Sequence, residues 1–392
     1  MSTVQTRPPR ATDGAGRADD ARRAGRAVAG RLTSLDWARG WMILIHLAAV
    51  SVLAPVPQQL RHPQWLGVTV FDIIFPLFLG LSGCGLAFAY SRRVSGWVTT
   101  RRAVVLVSAG LIYNIIVGRV TDLSELRLTG PLQVFGVLTV VVALLHLVVR
   151  GVRAWALVTV VVAVVWTATF WSYHRQCPTG SPTRSCNLSE AVDLRLMPAD
   201  QLYRQGALGH DPEGLVAIIG CLLTMLVGVT AGKILLARGS SSGRRPELQT
   251  VNLLLAWSGA VLVLGLLAIQ FVPAFKRLWT PSFALLTAVI VVIMLVLGYL
   301  LHDQPGPARW SRARDILAQP FVALGRNALL IYFGSYLMIH ELLVNGSPTW
   351  ASRLTRMDWP WGHPRITFVL AFVLAWWLLA WLLHRRRIYI HA

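Results

Sequence analysis

An imidazole, an indole and a carboxylate stand close together in residues 62–89, HPQWLGVTVFDIIFPLFLGLSGCGLAFA. Asp72 lies near the start of an apolar run, where an ionised carboxylate is unfavourable unless it is paired or hydrated, so it is a candidate functional residue. His62 and Trp65 precede it at the expected water boundary. Neutral imidazole is a good nucleophile and general base near pH 7. The segment therefore predicts nucleophilic or proton-transfer chemistry at the edge of an apolar span.

Asp72 needs a partner, and the sequence offers two kinds. The carboxylate either orients the imidazole of His62, as the third group does in nucleophile–base arrangements, or pairs with an arginine such as Arg39 or Arg326. Both alternatives remain open at this point. Pro76 follows four residues later and lacks the N–H that would bond to the Asp72 carbonyl, which predicts a kinked helix.

The elements that position these residues are apolar runs of about 20 residues, each long enough to cross a hydrocarbon core of about 30 Å. The chain has 392 residues, of which 55% are hydrophobic and 14% charged, against about 25% charged in soluble domains. The pattern predicts an all-α, polytopic membrane bundle with ten spans: 37–53, 69–90, 103–118, 131–149, 154–171, 214–236, 251–271, 282–301, 321–339 and 368–383.

The charge distribution predicts the orientation of this bundle. The formal net charge is +20. If successive connections alternate between the two faces of the membrane, 23 Lys and Arg residues lie on the face that holds the amino terminus and 12 lie on the opposite face. Short basic connections mark the cytoplasmic side, so we expect both termini in the cytoplasm of a plasma-membrane protein. The excess charge then has a topological origin, which argues against nucleic-acid binding. We expect residues 1–33 to form a disordered basic tail and residues 34–392 to form a single membrane-embedded domain.

The cysteines agree with this orientation. Cys177 and Cys186 lie in the longest connection, residues 173–211, within CPTGSPTRSC. That connection is predicted outside, where disulfides persist, and no nearby His or Cys completes a metal site. We therefore predict a Cys177–Cys186 disulfide and no metal. The other long outer connection, 340–367, carries Trp350, Trp359 and Trp361, which fit either an interfacial aromatic belt or a sugar-stacking platform.

Further polar side chains lie within apolar runs. Asp36 and Arg39 are three residues apart and share a helix face, which favours an ion pair. Gln133 lies just inside the fourth span, and a buried amide must find partners. Arg326 and Asn327 lie in the ninth span. They fit either a polar pathway or a clamp between helices.

The spacing H-x-x-W-x-G-x-x-x-x-D-x-x-F-P-x-F in residues 62–78 resembles the membrane acetyltransferase family typified by heparan-alpha-glucosaminide N-acetyltransferase. The segments SLDWARG, LRLTGPLQVFGVL and FVALGRNALLIYFGS extend the resemblance. It implies that His62, with Asp72, is catalytic, and that acetyl-CoA or another acyl-CoA is the co-substrate. The residues that it implies in binding acyl-CoA or the acceptor are Trp65, Gln133, Arg326, Asn327 and Arg39. We add His46, which lies one turn before the position where this chain departs from the family pattern.

One position departs from the family pattern. The family carries an asparagine eleven residues after the motif arginine, where this chain has Val50. Either His46 or Ser51 has taken over the polar role, or the activity has been lost. The expected function is transfer of an acyl group from cytoplasmic acyl-CoA to an amine or hydroxyl of an extracytoplasmic sugar or glycan. The alternative is a carrier or flippase that uses Asp72, Arg326 and His46 as a polar route, and a homo-oligomer remains open in both cases.

Overall fold

The computed structural model describes residues 32–237, 246–303, 308–341, 353 and 363–390. The predicted tail and the three tryptophans of the 340–367 connection lie outside the described residues, apart from the last two positions of the tail. The regular elements of the described part are helical: α1 Thr33–Val50, α2 Ile74–Ala89, α3 Gly96–Gly118, α4 Pro131–Val148, α5 Gly151–His174, α6 Leu188–Leu196, α7 Leu215–Ala237, α8 Pro246–Phe271, α9 Pro281–Gly298, α10 Ala308–Arg326, α11 Ala328–Ile339 and α12 Pro364–Arg385. The prediction of a polytopic helical membrane protein is confirmed.

Local sequence signals determine where several helices begin. α4, α9 and α12 each start with a proline at the first position, where the missing N–H costs nothing and the fixed φ suits a helix. α1 starts where the N–H groups of Thr33 and Ser34 donate to the Asp303 carboxylate, at 3.2 and 3.3 Å. Pro76 lies in the first turn of α2, after a 3-10 turn at Val70–Ile73, so the predicted kink is a change of helix type at the start of the span.

Eight helices of the described chain are long and apolar enough to cross a membrane, or nine if a bent pair counts as one span. The bent pair is α10 and α11, whose axes differ by 66°, so the predicted ninth span, 321–339, consists of two helices instead of one. The first predicted span, 37–53, corresponds to α1, which carries Asp36, Arg39 and His46 and is not among the eight. The count of ten and the cytoplasmic termini therefore remain predictions.

Two close backbone contacts hold the centre of the bundle. A Cβ added at Gly228 of α7 would lie 1.9 Å from the carbonyl oxygen of Gly80 in α2, and one at Gly40 of α1 would lie 1.9 Å from the carbonyl oxygen of Phe321 in α10. Small residues permit such approaches between membrane helices. α2 and α7 form the buried core pair, and α1 packs against both α2 and α10.

The two ends of the bundle differ in chemistry. Arg39, near the start of α1, donates to the carbonyl of Leu81 in α2 at 3.2 Å. A Cβ added at Gly85, near the end of α2, would lie 3.9 Å from the side chain of Leu35 in the first turn of α1, so α1 and α2 run antiparallel. The connection between them therefore lies at the opposite end from Arg39, and its Trp65 bonds to Pro182 inside the cysteine-bracketed turn. Arg326 contacts Asp36 in the first turn of α1. We therefore call the end that holds Trp65 and Pro182 the disulfide end, and the end that holds Asp36 and Arg326 the Arg326 end.

Candidate active site

His62 and Asp72 meet at the disulfide end. His62 Nδ1 lies 2.5 Å from Asp72 Oδ1, and the imidazole is 37% exposed while the carboxylate is fully buried. Of the two partners that the sequence left open, the structure therefore has the imidazole. A carboxylate only accepts hydrogen bonds, so the proton between the two residues is assigned to Nδ1. This tautomer leaves the lone pair on Nε2 for chemistry.

The carboxylate is itself held in place by the backbone of the 3-10 turn. Asp72 Oδ2 accepts from the Thr69 N–H at 2.8 Å and from the Thr69 hydroxyl at 3.0 Å. The ring of Phe71 lies against the imidazole, with centroids 4.8 Å apart. The TVFD segment thus supplies both the charge that orients His62 and a surface on which the ring rests.

The environment keeps His62 neutral near pH 7. Burial and the positive charge of Lys276 lower the pKa of His62, and the hydrogen bond to Asp72 opposes this only in part. A neutral imidazole with a free Nε2 can accept a proton or act as a nucleophile. The pair therefore has the protonation state required of a general base or a nucleophile.

Trp65 ties the His62 segment to the neighbouring connections. Its indole N–H donates to the Pro182 carbonyl at 3.0 Å, and its ring packs against His210 and Phe275, with centroids 5.2 and 5.9 Å apart. Pro182 lies in the turn closed by the disulfide between Cys177 and Cys186, which confirms the predicted pairing. The indole thus forms part of the wall beside the site.

His46 lies deeper in the bundle, on α1. It is 1% exposed, its Nε2 lies 3.1 Å from the Ser335 hydroxyl of α11, and its ring lies 4.1 Å from that of Tyr332. The Ser51 hydroxyl instead donates to the carbonyl of Leu47 in its own helix at 2.7 Å. Of the two predicted replacements for the family asparagine, His46 is the one whose side chain bonds to another helix.

Arg326 and Asn327 lie at the opposite end from His62, where the bent helix pair breaks. Arg326 contacts Asp36 at 3.3 Å and the Tyr389 hydroxyl at 2.8 Å. The Asn327 side-chain amide donates to the Ile388 carbonyl and accepts from the Ile390 N–H. The interpretation as a clamp therefore fits their contacts, and they are not partners of Asp72.

Arg39 and Gln133 also lie away from the imidazole. Arg39 contacts Leu81 near the Arg326 end. Gln133 lies in the first turn of α4 against α3, where a Cβ added at Gly110 would lie 2.3 Å from its Oε1. Its Nε2 is buried and has no hydrogen-bond partner among the described residues. The structure thus divides the predicted site residues among the disulfide end, the middle of the bundle and the Arg326 end.

Two groups of charged residues at the disulfide end were missed from the sequence. Arg127, in the connection between α3 and α4, bonds to Asp211 and Glu213 at 2.8 and 2.7 Å, which joins that connection to the residues just before α7. Lys276 and Arg277 lie beside the His62 segment. Two features of the sequence could have indicated these groups. Asp211 and Glu213 form an acidic pair just before a span, and Lys276 and Arg277 form a basic pair within a short apolar connection, FVPAFKRLWTP. Across the ranges the structure describes, no cluster of three His, Cys, Asp or Glu side chains is suited to a metal ion.

The comparisons with known proteins indicate a distant family relationship. The chain is 24% identical over 426 residues to heparan-alpha-glucosaminide N-acetyltransferase of Homo sapiens, and the match covers 93% of this chain and 60% of that protein. It is 24% identical over 385 residues to the protein of the same name from Mus musculus, covering 82% of this chain and 55% of that protein. The chain thus spans well under two thirds of the length of these curated relatives. No protein-family model matches it. The distant resemblance to this acetyltransferase family is confirmed.

Proposed function

We propose that the chain is a membrane acyltransferase that moves an acetyl group from cytoplasmic acetyl-CoA, or another acyl-CoA, to an amine or hydroxyl of an extracytoplasmic sugar or glycan. The observation that carries the proposal is the His62–Asp72 pair, a neutral imidazole oriented by a buried carboxylate and partly open to solvent. The names of the two distant relatives support the reaction class. The proposal treats residues 34–392 as one membrane-embedded unit.

The chemistry requires a base at the acceptor. A protonated amine must lose a proton before its lone pair can attack the thioester carbonyl, and His62 Nε2 is available to accept that proton. Alternatively, Nε2 attacks the thioester first and passes the acyl group to the acceptor in a second step. Asp72 stabilises the imidazolium or acyl-imidazolium that forms in either route.

The orientation of the two ends supports a transfer across the membrane. Cys177 and Cys186 are joined at the same end as His62, and disulfides persist outside the cytoplasm. The short basic connections predict that the Arg326 end is cytoplasmic. We propose that Arg326, Asn327 and Arg39 lie on the entry side for acyl-CoA, and that Trp65 and Gln133 lie on the acceptor side.

One observation favours a second candidate function. The contact of His46 with Ser335 places polar atoms in the middle of the bundle, between the pairs at the two ends. A carrier for a polar or lipid-linked substrate would use such a route without covalent chemistry. We keep this alternative because an acyl carrier arm and a transported solute would need similar polar partners at that depth.

Labelled acetyl-CoA distinguishes the two functions. Purified full-length protein in detergent is incubated with labelled acetyl-CoA and an amino sugar, and the product and any acylated peptide are identified by mass spectrometry. We expect transfer by the wild type and by Gln64→Ala, an exposed control in the same segment, and none by His62→Ala. If the wild type transfers no acyl group, and if Asp72→Asn blocks solute movement in proteoliposomes, the carrier is supported instead.

A further inference from the structure

Lys276 is one of only two lysines in the chain, the other 35 basic residues being arginine. It lies in the connection between α8 and α9 and is 5% exposed. Its ammonium forms no hydrogen bond or ion pair among the described residues, and Asp72, the carboxylate on which its charge acts through space, is already bonded to His62 and Thr69. An ammonium carries three donors and no acceptor, so one that is held in place without a bonded partner in the protein can donate to a negative charge that is not part of the protein.

The backbone places this lysine against the catalytic segment. Phe275 forms an isolated parallel bridge with Gly67, and Arg277 Nε donates to the Pro63 carbonyl at 3.2 Å. Lys276 lies between these two anchors, so its connection is fastened to the His62 segment on both sides. The charge of Lys276 also lowers the pKa of His62, which places the ammonium within electrostatic reach of the imidazole.

A negative charge of the right kind forms during the proposed reaction. When a nitrogen lone pair, of His62 or of the acceptor amine, bonds to the thioester carbonyl carbon, the electron pair of the C=O bond moves onto the oxygen. When that pair returns, the C–S bond breaks and the thiolate of CoA leaves. If the amine attacks directly, its proton goes to His62 Nε2. If His62 attacks first, Nε2 carries the acyl group until the amine attacks the same carbonyl carbon, the C–N bond to the imidazole breaks, and the amine proton goes to the released Nε2. The oxyanion is therefore bonded directly to the carbon that His62 Nε2 or the acceptor amine attacks.

We propose that Lys276 is a catalytic residue that donates a hydrogen bond to this oxyanion. The inference rests on the proposed acyl transfer and adds a residue to it. A preorganised donor in a partly dry site stabilises the transition state more than the neutral thioester, so it raises kcat more than it lowers KM. Removing one such donor lowers kcat by about 10²- to 10³-fold.

The test compares Lys276→Met, Lys276→Arg and Lys233→Met. Methionine keeps the apolar stem without the charge, arginine keeps the charge, and Lys233 is the only other lysine, on α7. For Lys276→Met we expect a loss in kcat of about 10²- to 10³-fold with KM for both substrates within a few-fold of wild type. Lys276→Arg should recover part of the loss, and Lys233→Met should behave as wild type.

The pH profile separates this role from a structural one. The charges around His62 are Asp72, Lys276 and Arg277, so removing Lys276 raises the pKa of the imidazole. The acidic limb of kcat/KM, below which His62 is protonated and inactive, should move to higher pH in Lys276→Met and stay in place in Lys276→Arg. A merely structural role would change the melting temperature and would leave this limb unmoved.

Three results would overturn the inference. Wild-type kcat in a folded Lys276→Met protein excludes the oxyanion role, while the acyl transfer itself stands. A raised acceptor KM with unchanged kcat shows that Lys276 binds an anionic group of the acceptor. If the wild-type protein does not turn over acetyl-CoA, the proposed function and this inference fail together.

Discussion

Asp72→Asn replaces one oxygen of the buried carboxylate by an amide nitrogen, and we expect it to move the proton on His62. In the wild type, Oδ1 accepts from His62 Nδ1–H at 2.5 Å while Oδ2 accepts two hydrogen bonds from Thr69. In the variant the amide oxygen retains the Thr69 bonds, so the NH₂ group faces Nδ1. Nδ1 must then accept, the ring proton moves to Nε2, and the lone pair required for chemistry is lost.

The magnitude follows from the contacts that change. To react, the variant must restore the proton to Nδ1, which breaks a hydrogen bond and turns two donors towards each other. The lost hydrogen bond to a charged group is worth about 1.5–3 kcal/mol, and an unsatisfied buried donor costs about 1–3 kcal/mol. Together they raise the barrier by about 2.5–6 kcal/mol, which corresponds to a loss of about 10²- to 10⁴-fold in kcat.

The assay is the initial rate of acetyl transfer by purified protein, with gel filtration and melting temperature as checks on folding. Thr69→Val is the matched control, because it removes only the 3.0 Å hydroxyl contact to the same carboxylate. Its expected loss is about tenfold at most. A folded Asp72→Asn protein within tenfold of wild type would refute the tautomer argument, and so would an equal loss in Thr69→Val.

Three further predictions concern stability and packing. Cys177→Ser opens the turn that holds Trp65, and we expect a loss of about 2–3 kcal/mol together with a higher acceptor KM; an unchanged melting temperature would contradict this. Burial raises the pKa of Asp193 to about 6 from 3.8, so its contribution to stability is full below about pH 4 and is lost as pH rises through about 6. Asp193→Asn, which imitates the protonated form, should flatten the increase in melting temperature from pH 7 to pH 5, and an equally steep increase would refute the assignment. Gly40→Val places side-chain atoms against the backbone of α10 and should abolish folded protein, whereas Gly259→Val, with open space around it, should fold; recovery of folded Gly40→Val would show that the two helices can separate.

The helical bundle could be predicted from the sequence because most of its helices are marked by their length and apolarity. The disulfide could be predicted because Cys177 and Cys186 bracket a turn in a connection placed outside by the charge pattern. For the pair of His62 and Asp72 the sequence offered two alternatives. The choice between them depends on how the irregular backbone of 61–69 folds back on the start of α2, and no periodic pattern encodes that path.

The break at Asn327 could not be predicted from the local sequence, because the apolar run continues on both sides of it. The residues that satisfy its side chain, Ile388 and Ile390, lie some sixty positions later. Likewise, Lys276 counted only as one positive charge in an outer connection. Its burial depends on the bridge between Phe275 and Gly67, which joins segments more than two hundred residues apart.

The packing between helices also bears on the choice between transferase and carrier. Alternating access would require helices to separate at each end in turn, yet α1 and α10, and α2 and α7, are in backbone contact at Gly40 and Gly228. Along α1, Asp36 and His46 are ten residues apart, which corresponds to about 15 Å of helix rise. A thin acyl carrier arm needs only a narrow passage over such a distance, with the reactive pair at its far end. A packed bundle with an oriented imidazole at one rim therefore supports acyl transfer more than solute transport.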